Sequence, residues 1–279
     1  MTRRYFNVLW SGVNILLLVS LAFLLYGIGW EYSTRSYLRG FADAVVPVQA
    51  APQQKVESIL AWMAHGPARN NDDAEWLAQR DPEETLNYEQ LLRVCGTATN
   101  AFVNLAVSSG LTARRLLLLD PDRNAKHVAA EVWLDGRWAV VDPVFHVLFR
   151  DAKGQFLTKE QLRDPLTFRQ ATQNIPHYPP SYSYEQTAIV RLRRIPLIGP
   201  MLRPALNAVL PGWEIDFNWT LLLERESFAM ALISALAFCC FAMARFLLAR
   251  HCDRRLGFPR QRLRSRFLRA GAALLMNGE

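Results

Sequence analysis

The sequence predicts an α+β domain that is carried between two transmembrane helices. Three observations lead to this prediction: two long apolar stretches, a helix-periodic segment that begins at Cys95, and an Asp135-Gly136 turn between two alternating strands. The apolar stretches cover residues 8–29 and 227–249, so they bracket the central part of the chain. The central part therefore supplies the folded domain, and the stretches supply its anchors.

The two apolar stretches have the length of membrane spans. A helix rises about 1.5 Å per residue, so about 20 residues cross a hydrocarbon core of roughly 30 Å. Residues 5–30 contain no charged side chain, and residues 227–249 contain only Arg245. Buried core helices are rarely apolar on every face over such lengths. A signal peptide cleaved near Ala50 is the alternative for the first stretch, but its apolar run is too long and ends well before that site.

The basic residues lie on the outer flanks of these stretches. The chain has a formal net charge of +7, with Arg3 and Arg4 ahead of the first stretch and eight arginines after the second. Positive flanks mark the cytoplasmic side of a span. We therefore expect both termini in the cytoplasm, the central domain outside it, and an inner (cytoplasmic) membrane location. We expect the arginine tail to contact anionic lipid headgroups rather than nucleic acid.

The predicted organisation has five parts. Residues 1–30 form a cytoplasmic tip and the first span, 31–188 the exported domain, 227–249 the second span, and 250–279 an arginine-rich cytoplasmic tail. The remaining segment, 189–226, is apolar and basic but is broken by prolines, so it is too interrupted to span a membrane. It could lie in the membrane interface, bind a lipid-linked or protein partner, or pack on the domain as a linker.

Cys95 is the only cysteine predicted to be exported. Cys239 and Cys240 fall inside the second span and Cys252 falls just beyond it. Cys95 therefore has no partner for a disulfide within its own domain. It is either a small buried hydrophobe or a nucleophile.

The segment after Cys95 has helical periodicity and ends at Gly110, which can cap the helix. Cys95 is thus placed at or near the amino terminus of a helix, where exposed N–H groups and the helix dipole stabilise a thiolate. After the cap, the apolar run at residues 116–119 predicts a buried central strand.

The stretch "KHVAAEVWLDGRWAVVDP" predicts a tight hairpin. Asp-Gly is a strong two-residue turn, and it pairs Trp133 with Trp138 and extends back towards Ala129 and Asp142. The period of two then places His127 and Asp142 on one face as diagonal neighbours, within reach of each other's side chains.

These residues suit nucleophilic catalysis. An aspartate that accepts a hydrogen bond from one imidazole nitrogen fixes the tautomer, and the other nitrogen can take a proton from a thiol. Cys95, His127 and Asp142 would then be nucleophile, base and orienting group. His146 and His177 lack the hairpin geometry. The same three residues could ligate a metal, but such a set more often serves acyl transfer. We expect no cofactor and no metal.

The motifs "CG" at Cys95, "HVAAEV" from His127 and "WAVVDP" ending at Pro143 resemble those of the transglutaminase-like superfamily, a papain-like group. The resemblance covers roughly residues 56–159. It implies a cysteine helix packed on an antiparallel sheet, and it gives the three residues the catalytic roles above.

Two positions depart from the family pattern. Arg93 replaces a glycine that usually precedes the cysteine by two positions, and Ala129 replaces an aromatic residue. Both changes would reshape the substrate cleft. The Cys95 backbone N–H would be one hydrogen-bond donor to the oxyanion of the reaction. Trp76 and Gln90 are further candidates for this role.

The resemblance implies a membrane-anchored cysteine enzyme that forms a thioester with a peptide or amide in the cell envelope. Water as acceptor would make it a peptidase or amidase, and an amine would make it a crosslinking enzyme. The alternative is a catalytically silent envelope assembly or scaffolding protein with a link to cell-surface polysaccharide machinery. We expect a peptide or protein substrate, contact with membrane lipids, and envelope protein partners.

Overall fold

The computed structural model describes residues 3–65, 95–190, 204, 207–208 and 219–252. Within these ranges the chain has an α+β fold with helices packed on an antiparallel sheet. The first two helices are α1 (Arg3–Val45) and α2 (Pro52–Ala64), and the cysteine helix is α3 (Cys95–Ser108). The strands are β1 (Ala113–Leu119), β2 (Ala125–Leu134), β3 (Arg137–Asp142) and β4 (Val147–Leu148).

The chain then forms a 3-10 turn (Gln161–Arg163), α4 (Pro165–Thr172), β5 (Thr187–Ala188), α5 (Thr220–Glu224) and α6 (Glu226–His251). Asp164 caps α4, because its carboxylate accepts hydrogen bonds from the Thr167 backbone N–H at 2.9 Å and from its hydroxyl at 2.7 Å. The strands form one sheet in the order β4-β3-β2-β1-β5. The α+β prediction is confirmed, and β1 is the buried interior strand that the run at 116–119 predicted.

The hairpin between β2 and β3 has the predicted register. Trp133 pairs with Trp138, and Leu134 pairs with Arg137. Asp135 and Gly136 both have positive φ, 48° and 76°, as the tight turn between right-handed twisted strands requires. The two tryptophan rings meet edge to face with centroids 5.4 Å apart, which reinforces the pairing beside the turn.

The cysteine helix is buried along nearly all its length. One side packs on the sheet, and α2 and the last turns of α1 cover the other side, so that residues 97–106 are all buried. Gly110, with φ of 84°, ends the helix as predicted, and the Leu111 N–H bonds back to the Ala106 carbonyl at 2.9 Å. A helix held from both sides fixes the position of its first residue.

Two helices of the described ranges are long and apolar enough to cross a membrane, Arg4–Val45 and Glu226–His251. The first helix does not end where its apolar run ends. It continues to Val45, because no proline interrupts residues 31–45, and its Leu38 and Ala42 join the domain core. The chain divides into two compact units, one of residues 1–27 with 230–279 and one of residues 28–229.

A buried polar cluster lies inside the second of these units, beside the cysteine helix. Arg225 pairs with Glu31 at 2.9 Å, and Arg115 pairs with Glu224 at 2.6 Å. The amide of Asn100 donates to the Glu224 carbonyl at 2.7 Å. We call this set the Glu224–Arg225 cluster; its members are Glu31, Asn100, Asn104, Arg115, Glu224, Arg225 and Ser227. The cluster joins α1, α3, β1 and the start of α6.

Candidate functional site

His127 and Asp142 meet on the buried face of the hairpin. His127 lies near the start of β2 and Asp142 is the last residue of β3, so the two side chains project from the open end of the same strand pair. Nε2 of His127 is 2.8 Å from Oδ2 of Asp142, and the side chains are 1% and 0% exposed. The diagonal contact follows from the predicted register.

Asp142 accepts two further hydrogen bonds. The Val144 backbone N–H donates to Oδ1 at 3.1 Å, and the Tyr178 hydroxyl donates to Oδ2 at 3.1 Å. Each donor stabilises the ionised carboxylate, which would otherwise be costly in a site without solvent. The carboxylate is therefore held in one orientation by three donors.

Cys95 is the first described residue of α3 and is only partly buried. Its side chain packs beside Leu117, Leu119, Val128 and Ala188. It also interacts with the His127 ring, both as a hydrogen-bond partner and through charge. Nδ1 of His127 is buried and makes no hydrogen bond of ordinary geometry within the described ranges. Because Nε2 is bound to Asp142, we assign the interaction with the Cys95 side chain to Nδ1.

These contacts determine the charge of the imidazole. Burial by itself lowers the pKa of His127, but the hydrogen bonds to Asp142 and to Cys95, together with their charges, outweigh burial and raise the pKa from 6.5 to about 9. His127 is therefore an imidazolium at neutral pH. A positive ring between a carboxylate and a sulfur favours the thiolate form of that sulfur.

A strap of aromatic residues covers the imidazole. We use the term aromatic strap for residues 175–184, which run between α4 and β5. Tyr182 stacks on the His127 ring with centroids 4.3 Å apart and planes 16° from parallel. Phe145 contacts the same ring at a tilt, 6.2 Å between centroids. The two aromatic residues restrict the imidazole to one plane.

Sequence reasoning did not identify Tyr178 and Tyr182 as site residues. The signal available was the proline- and tyrosine-rich composition of residues 175–186, which predicts an irregular loop that could form a wall of the cleft but singles out no residue within it. Tyr178 follows Asp142 by 36 residues, and no periodicity links the two.

The two competing histidines occupy other environments. Burial lowers the pKa of His146, partly opposed by Asp142, and its Nε2 has no hydrogen-bond partner among the residues described. His177 is exposed on the aromatic strap. Neither is hydrogen-bonded to Asp142 in the described part of the chain, whereas His127 is.

Glu131 lies on the same face of β2 as His127, but its carboxylate is paired with other side chains. Its carboxylate is 2.7 Å from Arg114 and 3.7 Å from Lys159. Arg114 in turn lies 3.9 Å over the Trp138 ring. This buried group of charges supports the hairpin and leaves Asp142 as the carboxylate for His127.

Three residues named from the sequence lie outside the described ranges: Trp76, Gln90 and Arg93. So do most of residues 189–218 and the arginine-rich tail beyond Cys252. In the part of the chain that the structure describes, no group of three histidine, cysteine, aspartate or glutamate residues is arranged to hold a metal ion.

Residues 39–143 match the family model of the transglutaminase-like superfamily. The match begins within α1 and ends one residue after Asp142, so it contains Cys95, His127 and Asp142 but not the aromatic strap. The predicted resemblance is confirmed: the chain carries a transglutaminase-like domain at these residues. Neither the curated proteins nor the solved structures that were compared with the chain include a match.

Proposed function

We propose that the protein is a membrane-anchored cysteine enzyme that transfers acyl groups from peptide or amide substrates through a thioester at Cys95. The observation that carries this proposal is His127, whose Nε2 is bound to Asp142 at 2.8 Å while its ring interacts with the Cys95 side chain. This is the arrangement of a nucleophile, an acid–base group and an orienting group.

The first half of the reaction breaks the amide. The Cys95 thiolate attacks the carbonyl carbon, a C–S bond forms, and negative charge develops on the carbonyl oxygen. The imidazolium of His127 then donates its proton to the leaving nitrogen, the C–N bond breaks, and an amine departs. A thioester at Cys95 and a neutral His127 remain.

The second half returns the enzyme to its starting state. Neutral His127 takes a proton from the acceptor, whose oxygen or nitrogen attacks the thioester carbon. The C–S bond breaks and its electron pair returns to sulfur, so the thiolate and the imidazolium are restored. Water as acceptor gives hydrolysis, and an amine gives a crosslink. The acceptor is set by the shape of the cleft and by how well it excludes water.

We also propose that this domain works on the outer side of the inner (cytoplasmic) membrane, where its substrate is an envelope peptide or protein. Support comes from the two apolar helices and from the arginines on their outer flanks. An engineered Lys126→Cys variant tests this, because Lys126 is exposed on the domain. In intact cells, a membrane-impermeant thiol reagent should label it. Labelling only after the cells are lysed would contradict the proposed side.

The enzyme proposal is tested by alkylation of the full-length protein in its membrane. Two reagents of similar size are compared, neutral iodoacetamide and anionic iodoacetate, and modification of Cys95 is quantified by site-resolved mass spectrometry. An activated thiolate should react well below pH 8.5, the approximate pKa of an ordinary cysteine. The imidazolium should attract iodoacetate and raise its rate relative to iodoacetamide.

Two histidine variants distinguish the proposed enzyme from a non-catalytic envelope scaffold. His127→Ala should remove both the low-pH reactivity and the preference for iodoacetate. His177→Ala, a change at an exposed histidine outside the site, should leave both unchanged. If wild-type Cys95 titrates as an ordinary thiol and ignores His127→Ala, the enzyme proposal fails and a non-catalytic envelope scaffold becomes the better interpretation.

A further inference from the structure

The contact between Tyr178 and Asp142 adds a residue to the site from outside the matched domain. The Tyr178 hydroxyl donates to Oδ2 of Asp142, the same oxygen that binds Nε2 of His127. The family match ends at residue 143, so this donor comes from a part of the chain that the match does not cover. The contact is buried, and Tyr178 is only 9% exposed.

The tyrosine ring is fixed by its surroundings. It packs against Phe145 with centroids 4.6 Å apart, and against Phe149 and Phe168 at 5.9 Å each. The end of the aromatic strap is also held in place, because the Arg163 side chain donates a hydrogen bond to the Tyr184 carbonyl at 3.3 Å. A ring held on three sides directs its hydroxyl at the carboxylate with little freedom to turn away.

We propose that Tyr178 is a fourth residue of the site, a positioning residue whose hydroxyl shares Oδ2 of Asp142 with His127 and so limits how firmly the carboxylate retains the proton on the imidazole. This rests on the proposed function. Tyr178 acts through Asp142 and touches no reacting atom.

His127 has two charge states, and the Tyr178 hydroxyl does not stabilise them equally. While the ring is an imidazolium, Asp142 is neutralised by a full positive charge and needs its other donors less. Once the ring has given its proton away, Asp142 is an uncompensated anion in a solvent-free site, and the hydrogen bond from Tyr178 becomes stronger. The hydroxyl therefore stabilises the state after proton donation more than the state before it. Proton delivery to a leaving amine becomes easier.

Other titratable groups face the same carboxylate and imidazole. Cys95 approaches the ring from α3, His146 and Tyr184 act on Asp142 by charge, and Tyr182 covers the ring. Glu131, farther along β2, is paired with Arg114 and Lys159. Within the described ranges, Tyr178 is the side chain besides His127 that is hydrogen-bonded to Asp142.

Tyr178→Phe tests the proposal, because it keeps the ring and removes the donor. The measurement is the ratio of iodoacetate to iodoacetamide alkylation at Cys95 of the full-length protein, followed from pH 6 to 11. The ratio falls where the imidazolium loses its proton. Tyr178→Phe should move this midpoint to higher pH by about half a unit to one unit, since about 1 kcal/mol of differential hydrogen bonding corresponds to that shift.

Ser183→Ala is the control. It removes an exposed hydroxyl of the aromatic strap that accepts a hydrogen bond from the Glu185 backbone N–H at 3.2 Å, and it should leave the midpoint in place. A purely structural role for Tyr178 predicts the opposite direction, because a loosened strap admits water, weakens the contacts of His127 and lowers the midpoint. An unchanged or lower midpoint in Tyr178→Phe, or an equal rise in Ser183→Ala, overturns the proposal. If the wild type has no His127-dependent midpoint, the proposed function itself fails.

Discussion

Thr99 donates a hydrogen bond from its hydroxyl to the backbone carbonyl of Val128, at 2.9 Å and in a buried position. Thr99 lies one helical turn after Cys95, and Val128 directly follows His127. The bond therefore ties the helix that carries the sulfur to the strand that carries the imidazole, next to both of them.

Thr99→Val should test this tie. The substitution keeps the shape of the side chain but removes the donor, and it should lower the free energy of unfolding by about 1–2 kcal/mol. It should also reduce the preference of Cys95 for iodoacetate, because the sulfur and the imidazolium are no longer held at one distance. Thermal unfolding in detergent and alkylation at pH 7 measure the two effects.

Ser36→Ala is the control for Thr99→Val. Its hydroxyl bonds to the Tyr32 carbonyl on the exposed surface of α1, so its loss should change stability by less than about 0.5 kcal/mol. Equal effects of the two substitutions would show that the buried tie has no special role.

The charge of His127 predicts a pH limit. Because its pKa is raised to about 9, the imidazolium persists through neutral pH and is lost as the pH rises through that value. The ratio of iodoacetate to iodoacetamide alkylation should therefore be constant up to about pH 8 and fall with a midpoint near 9. Asp142→Asn removes the negative partner and should move the midpoint down towards 6.5, the ordinary value for histidine. A fall near pH 6.5 in the wild type would contradict the raised pKa.

The hairpin turn predicts a glycine requirement. Gly136 has a φ of 76°, which a side chain disfavours, so Gly136→Ala should lower the free energy of unfolding by about 1–2 kcal/mol. Gly40→Ala is the matched control, because Gly40 lies within α1 with open space around its Cα and no positive φ. There the added methyl should be neutral or stabilise by up to about 1 kcal/mol. Chemical denaturation of both variants in detergent gives the comparison, and a harmless Gly136→Ala would exclude the assigned turn.

The buried pair of Arg225 and Glu31 predicts a loss of stability when one partner is removed. Arg225→Met takes away the 2.9 Å partner of Glu31 but leaves its contacts with Arg35 at 2.6 Å and with the Ser227 hydroxyl at 2.8 Å, so it should cost about 1–3 kcal/mol. Adding Glu31→Leu should restore most of the loss, since two apolar side chains leave no buried charge and the Arg35 side chain is 57% exposed. The melting temperatures of the single and double variants measure this. A double variant less stable than Arg225→Met alone would contradict the pairing.

The sequence could predict those parts of the site that depend on short-range periodicity. A two-residue turn at Asp135-Gly136 fixes the register, and the period of two then places His127 diagonally opposite Asp142. The glycine cap at Gly110 fixes the direction and extent of the cysteine helix. These local rules hold whatever surrounds them.

The parts that could not be predicted depend on contacts between distant segments. Asn100 and Asn104 read as polar interruptions of an apolar helix, and their partner Glu224 lies 124 and 120 residues away. Tyr178 reaches Asp142 from an irregular strap whose path no periodicity defines. The continuation of α1 to Val45 also depends on packing, because Leu38 and Ala42 are stabilised by the domain core rather than by an apolar run of their own.

The Glu224–Arg225 cluster has a consequence for how the protein is made. Arg225 is synthesised 194 residues after Glu31, and Glu224 follows Asn100 by 124. Until the ribosome has passed these positions, the nascent chain contains the Glu31 carboxylate, the Asn100 amide and the Arg115 guanidinium without the contacts that Glu224 and Arg225 supply. The domain therefore completes these contacts only after residues 224–227 have been made, and a product truncated before Glu224 would contain Cys95, His127 and Asp142 without the contacts that complete the domain around them.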